Sequence, residues 1–208
     1  LAYSPDSANA LLDAAGWTRG ADSVRRKNGK PLSFGIIVPT TSLPRMRAAV
    51  LLQEQFRRVG VEVRIENSDM AGFVGRATGR RFDAMVGSYN PDPGPGSVRD
   101  VWTAASAAKG GNNFGRYVNP AFDAHVDSGL AAFAQEEIRA HFASAWRIIA
   151  DDAPAIWLAE PRRVMAVHDR IVTTGIRPDA WWAGIAQWHI PADKRIARDV
   201  APVTGAAR

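Results

Sequence analysis

The apolar positions of this chain repeat with two different periods, and the switches between them predict its elements. Ala8, Leu11, Leu12 and Ala15 recur at helical spacing. Ser4 is placed to cap that helix and Pro5 suits its first turn; Gly16 supplies a left-handed stop, over which Trp17 folds back. Residues 18–31 read as a polar turn region, and Leu32 to Val38 as a strand centred on Ile36-Ile37-Val38. Ala49, Leu52, Phe56 and Val59 share one helical face, which predicts a helix from Leu43 to Val59, capped by Ser42 and ended by Gly60. The period then drops to two: Val61, Val63 and Ile65 alternate with Glu62, Arg64 and Glu66, the pattern of a half-buried strand. A short helix near Asp69–Thr78 and a third strand over Phe82–Ser88 complete a β-α-β-α-β order. Such alternation predicts an α/β fold, a mixed sheet with helices packed on it and ligands held at loops beyond the strand ends.

Two irregular stretches follow. The first, from Gly87 to Ser97, holds three prolines and three glycines and cannot be helix or interior strand. The second, from Lys109 to Tyr117, is separated from it by a short helix expected over Val98–Ala105. The remainder reads as mostly helical. Asn119-Pro120 opens a helix with Phe122, Val126, Leu130 and Phe133 inward; a second, from Gln135 to Asp151, turns Ile138, Phe142, Ala145 and Ile149 inward. Asp151 and Asp152 sit at its negative end, against the helix dipole. Ile156–Ala159 and Val164–Val167 read as a strand pair, and Ile176–Ile190 is tryptophan-rich.

Composition narrows the function classes. The 208 residues are 46% hydrophobic and 23% charged, with seven tryptophans and eight phenylalanines, too much apolar mass for a disordered chain. The absence of cysteine excludes disulfides, thiolate metal sites and a cysteine nucleophile. No apolar run approaches the ~20 residues of a membrane helix. The net charge of +5 is scattered over short groups such as Arg25-Arg26-Lys27, Arg80-Arg81 and Arg162-Arg163, which reads as a solvated basic surface. Leu1-Ala2-Tyr3 is not an initiator sequence and no basic-then-apolar leader follows, so the chain is expected to start inside something longer.

Catalytic and metal motifs are not apparent. His125, His141, His168 and His189 lie far apart, none beside a serine elbow or in a metal-ligand spacing, and His125 and His141 read as half-exposed helix residues. No glycine-rich phosphate loop follows a strand. Phe114, Arg116 and Tyr117 interleave aromatics with charge, as single-stranded nucleic-acid sites do, but read more simply as two packed rings and a solvated guanidinium. What remains is the pair of loops. Tyr89, Asn90, Asp92, Trp102, Asn112, Asn113, Arg116 and Tyr117 offer flat apolar faces, hydrogen-bonding groups and charges of both signs, the furnishing of a small-solute cleft.

The order of short motifs resembles a known family. Ser4-Pro5-Asp6 through Ala14-Ala15-Gly16-Trp17, then Arg26-Lys27-Asn28-Gly29-Lys30-Pro31-Leu32, Leu52-Gln53-Glu54-Gln55-Phe56, Phe82-Asp83-Ala84, Asn90-Pro91-Asp92-Pro93, Asn112-Asn113 and Asp151-Asp152-Ala153-Pro154 are similar, in order, to the C-terminal part of family 5 extracellular solute-binding proteins of peptide and nickel ABC transporters. The resemblance implies one lobe, residues 1–196, of a periplasmic binding protein of class II type, followed by a flexible tail over 197–208. It implies no catalysis, metal or cofactor of its own. It implies a peptide or other small solute held against an N-terminal lobe outside this chain, delivery to a membrane permease, and a periplasmic or extracellular location. The segment around Tyr89–Asp92 would approach the ligand, although Ser88-Tyr89 stands where the family commonly has tryptophan. A basic nucleic-acid-binding or regulatory module on the same lobe is the alternative.

Overall fold

The computed structural model describes residues 3–89, 94–108, 110–160, 164–177 and 180–200. Helix α1 (Pro5–Ala14) starts at Ser4, whose hydroxyl accepts from the Ser7 N–H. It closes with Gly16 at φ +82° while the Trp17 N–H reaches back to the Leu12 carbonyl, a glycine stop of the Schellman type. Only part of the expected face is inward: Ala8 and Leu12 pack on the core, whereas Leu11 is 72% exposed.

Residues 18–31 are more ordered than a turn region. They form a small antiparallel sheet of β1 (Thr18–Arg19), β2 (Arg25–Lys27) and β3 (Lys30–Pro31). Its anchor is Arg25, 2% exposed. The Arg25 guanidinium donates to the Val59 and Trp17 carbonyls, to Asn9 and to the Asp13 carboxylate, so one side chain ties α1 and the meander to the end of the next helix.

The second sheet is parallel, in the order β5 (Glu62–Ser68), β4 (Ser33–Pro39), β6 (Ala84–Met85). The central β4 is buried on both faces, which is why it reads as a continuous apolar run. Phe34, Ile36 and Val38 pack with Val61, Val63 and Ile65 beneath α2 (Leu43–Arg58), which contributes Ala49, Leu52 and Phe56. Ile37 points to the opposite face, toward α3 (Met70–Thr78), with its buried Phe73 and Ala77. On that face Gly35 leaves room for Glu66, which pairs with Arg76 of α3; a Cβ at Gly35 would lie 2.0 Å from Glu66 Oε1. The strand expected over Phe82–Ser88 contracts to Ala84–Met85, because the ladder to β4 pairs only those residues.

A helical layer carries the second core. Helix α4 (Gly96–Trp102) begins and ends earlier than expected and gives way to a 3-10 turn over Ala104–Ala107. Val98 of α4 packs with Phe122 and Val126 of α5 (Pro120–Ala131) and Ala145 and Ile149 of α6 (Gln135–Asp152). Asn119 caps α5 as expected, its Oδ1 accepting from Ala121 and Phe122. Phe133 is not inward but fully exposed: α5 stops at Ala131 and Ala132 is extended, so the helical spacing no longer applies. No strand forms at Ile156–Ala159 or Val164–Val167 among the described residues, and Val164 is 93% exposed. The tryptophan-rich segment folds on itself, with Trp181 against Trp182 and Trp188, and a bridge between Val172 and His189. Past residue 196, α7 (Ala197–Val200) makes one turn in which Asp199 pairs with Arg170. Among the described residues no helix is long and apolar enough to cross a membrane.

Candidate functional site

The start of the first irregular stretch and one residue of the second share a pocket. Gly87 and Ser88 of the first and Phe114 of the second line one pocket of about 250 Å³ with Arg45, Met70, Phe73 and Met85. The place follows from the topology: Arg45 lies in the first turn of α2, just after β4, and Ser88 lies just after β6, so both stand beyond the carboxyl ends of parallel strands. Arg45 donates to the Ser88 hydroxyl and its guanidinium lies 5.9 Å from the Phe73 ring centroid, which orients the charge at the pocket.

The second loop is held by Asn113, 2% exposed. Its amide donates to the carbonyls of Thr103 at 3.0 Å and Tyr117 at 2.8 Å, and its Oδ1 accepts from the Tyr117 N–H at 3.0 Å. Asn113 thus shapes the loop and has its polar atoms occupied. Tyr117 packs edge-on to Phe122, and its hydroxyl donates to Asp152 at 2.6 Å. Burial, then that carboxylate, push the phenol well above its ordinary range.

Trp102 is brought close to this loop: its carbonyl lies 3.4 Å from the Asn113 amide nitrogen. The ring meets Trp157 edge-on, and its indole N–H is buried with no hydrogen-bond partner among the described residues. Asn112 and Arg116 are exposed, Arg116 at φ +55°. Tyr89, 44% exposed, donates its hydroxyl to the Ser97 carbonyl and so braces the first loop. Asn90 and Asp92 lie outside the described residues.

Arg45, Phe73 and Phe114 were not among the residues the sequence singled out for binding. Arg45 and Phe73 sit on helices that read as structural, and Phe114 reads as packing. A signal did exist for Arg45: in an open α/β sheet the first turn of a helix directly after a strand stands at the ligand-bearing edge.

A parallel sheet with a pocket past its strand ends is a feature this chain shares with solved structures of solute-binding proteins. Residues 2–111 match the model of bacterial extracellular solute-binding proteins, family 5 middle, and the chain belongs to that family. It is similar to the oligopeptide-binding protein AppA of Bacillus subtilis, 26% identical over 192 residues, covering 90% of this chain and 35% of that protein. The structure of that protein in complex with a nonapeptide superposes with a TM-score of 0.77 at 24% identity, covering 91% of this chain and 38% of the other. NikZ from Campylobacter jejuni, solved in complex with Ni(L-His), gives a TM-score of 0.67 at 24% identity over 73% of this chain and 31% of the other. The chain spans about a third of the length of such relatives. The nucleic-acid alternative gains no support from these relatives, and Arg25, Arg26, Arg76 and Arg170 are each paired with a carboxylate of the chain.

Proposed function

We propose that the protein is the solute-capturing component of an ABC importer and that this chain supplies one wall of its cleft. The observation that carries the reading is the meeting of Ser88 and Phe114, from two separate loops, on one pocket beyond the strand ends. The opposite wall comes from a lobe outside this chain, and the solute binds the closed two-lobe state more tightly than the open one, so capture is a shift of population and involves no chemistry. Delivery to a membrane permease follows, at the periplasmic or outer face of the cytoplasmic membrane.

An oligopeptide suits the wall better than a metal chelate. Met70, Phe73, Val74 and Phe114 offer apolar surface to a side chain, while Arg45 brings a guanidinium to a carboxylate. Tyr89, Trp102 and Tyr117 frame the loops with aromatic faces, Asn90 and Asn112 contribute hydrogen bonds, Asp92 or Arg116 matches ligand charge, and Asn113 positions the loop. A micromolar full site is worth about −8 kcal/mol. One wall retains only part of those contacts and still costs the ligand its free motion. In calorimetry the full-length protein therefore binds an oligopeptide at micromolar concentration, and this chain alone at millimolar or weaker. Micromolar binding by this chain alone, or a full-length protein indifferent to peptides, overturns the reading.

A further inference from the structure

Away from this wall, the fold brings together two histidines that stand 16 positions apart. His125 on α5 and His141 on α6 face each other with their Nδ1 atoms 3.2 Å apart, ring centroids 5.5 Å apart and planes tilted by 48°. Both are half-buried. The approach is close because Gly129, one turn along α5, has no side chain: a Cβ there would lie 2.9 Å from the Phe142 ring and 3.2 Å from His141 Cβ. Neither α5 nor α6 contributes to the lining of the pocket that Ser88 and Phe114 share.

We propose that His125 and His141 form a two-imidazole site for a divalent transition-metal ion. The separation matches the bite of a metal. Two metal–nitrogen bonds of about 2.05 Å at a tetrahedral angle place their nitrogens about 3.3 Å apart. Imidazole is a ligand for copper, nickel and zinc, and the ordinary order of affinity favours Cu(II). Without metal, one ring must carry its proton on Nδ1 and donate to the bare Nδ1 of the other. On binding, the donor ring moves that proton to Nε2 and both Nδ1 lone pairs go to the ion, with no change of oxidation state. No third histidine or carboxylate joins the pair among the described residues, so water completes the coordination.

The test is titration of the untagged chain with copper(II) sulfate, followed by calorimetry. One ion binds, and His125→Gln and His141→Gln each weaken it by at least the roughly tenfold that losing even a supporting contact costs. Zinc at about 100 times its Kd shifts the unfolding equilibrium about 100-fold toward the folded chain, and does so in neither variant. A measurement on the unaltered chain decides the matter if a variant misfolds: substoichiometric Cu(II) broadens the imidazole proton signals of His125 and His141 before those of His168 and His189. No saturable binding, binding unchanged in both variants, or earlier broadening at His168 or His189 overturns the site.

Discussion

The Tyr117 hydroxyl donates to Asp152 Oδ2 at 2.6 Å and so fastens the second loop to the C-terminal end of α6. Asn119 donates to the same oxygen at 2.8 Å while its own Oδ1 caps α5. One carboxylate therefore gathers the loop, the start of one helix and the end of another. This accounts for an acid at the helix end where the dipole disfavours it: two donated hydrogen bonds offset the unfavourable field.

The Asp152 carboxyl is held below its ordinary value of 3.8 by the Tyr117 hydroxyl first and Asn119 second. A depressed carboxyl contributes stability above its unfolded value and loses it as the pH falls through the folded value. Asp152→Asn is accordingly less stable than the parent at neutral pH, and the gap between their urea midpoints closes below pH 3.8. The raised phenol acts in the other direction: its contribution is present below pH 10.0 and is lost as the pH rises beyond it, so Tyr117→Phe flattens the alkaline decline.

Asn113→Ala strands the Tyr117 N–H and two or more carbonyls in a buried setting. The expected cost is about 2 kcal/mol, measured by urea denaturation. Because those bonds define the loop that presents Phe114, ligand affinity of the full-length protein falls as well, although Asn113 has no polar atom free for the ligand.

Arg45→Ala removes the guanidinium at the pocket while leaving the core beneath α2 intact. Peptide affinity of the full-length protein drops about tenfold, or about 1.4 kcal/mol. Arg45→Lys does not restore it fully, because the planar fork that meets both Ser88 and the Phe73 face is lost. Unchanged calorimetric affinity in both variants would remove Arg45 from the binding wall.

Two phenylalanines expected on one inward face should now differ sharply. Phe122 is fully buried in the second core and Phe133 fully exposed. Phe122→Ala costs about 3–5 kcal/mol, whereas Phe133→Ala leaves the thermal midpoint where it was. Equal effects of the two substitutions in thermal denaturation would contradict the end of α5 at Ala131.

Local grammar was legible in the residues themselves. Ser4 and Asn119 announce their helices because capping is an interaction within three residues, and the switch from period 3.6 to period 2 at Gly60 marks β5 because side-chain direction depends only on backbone geometry. The apolar run Ile36-Ile37-Val38 identified the central strand, and the loops on either side of α4 stood out by composition. Tertiary structure alone decided the rest. Arg25 organises the meander through acceptors as distant as Val59, β6 is only as long as its partner allows, and His125 meets His141 because α6 packs closely on α5 where Gly129 carries no side chain. The pocket is of the same kind: Arg45, Ser88 and Phe114 are ordinary in their own neighbourhoods and line one pocket only because the parallel sheet sets the start of α2 beside the segment after β6 and the helical layer brings the loop before α5 up to them. Periodicity records which way each side chain leaves the backbone, but which side chains then meet depends on the packing of elements remote in sequence.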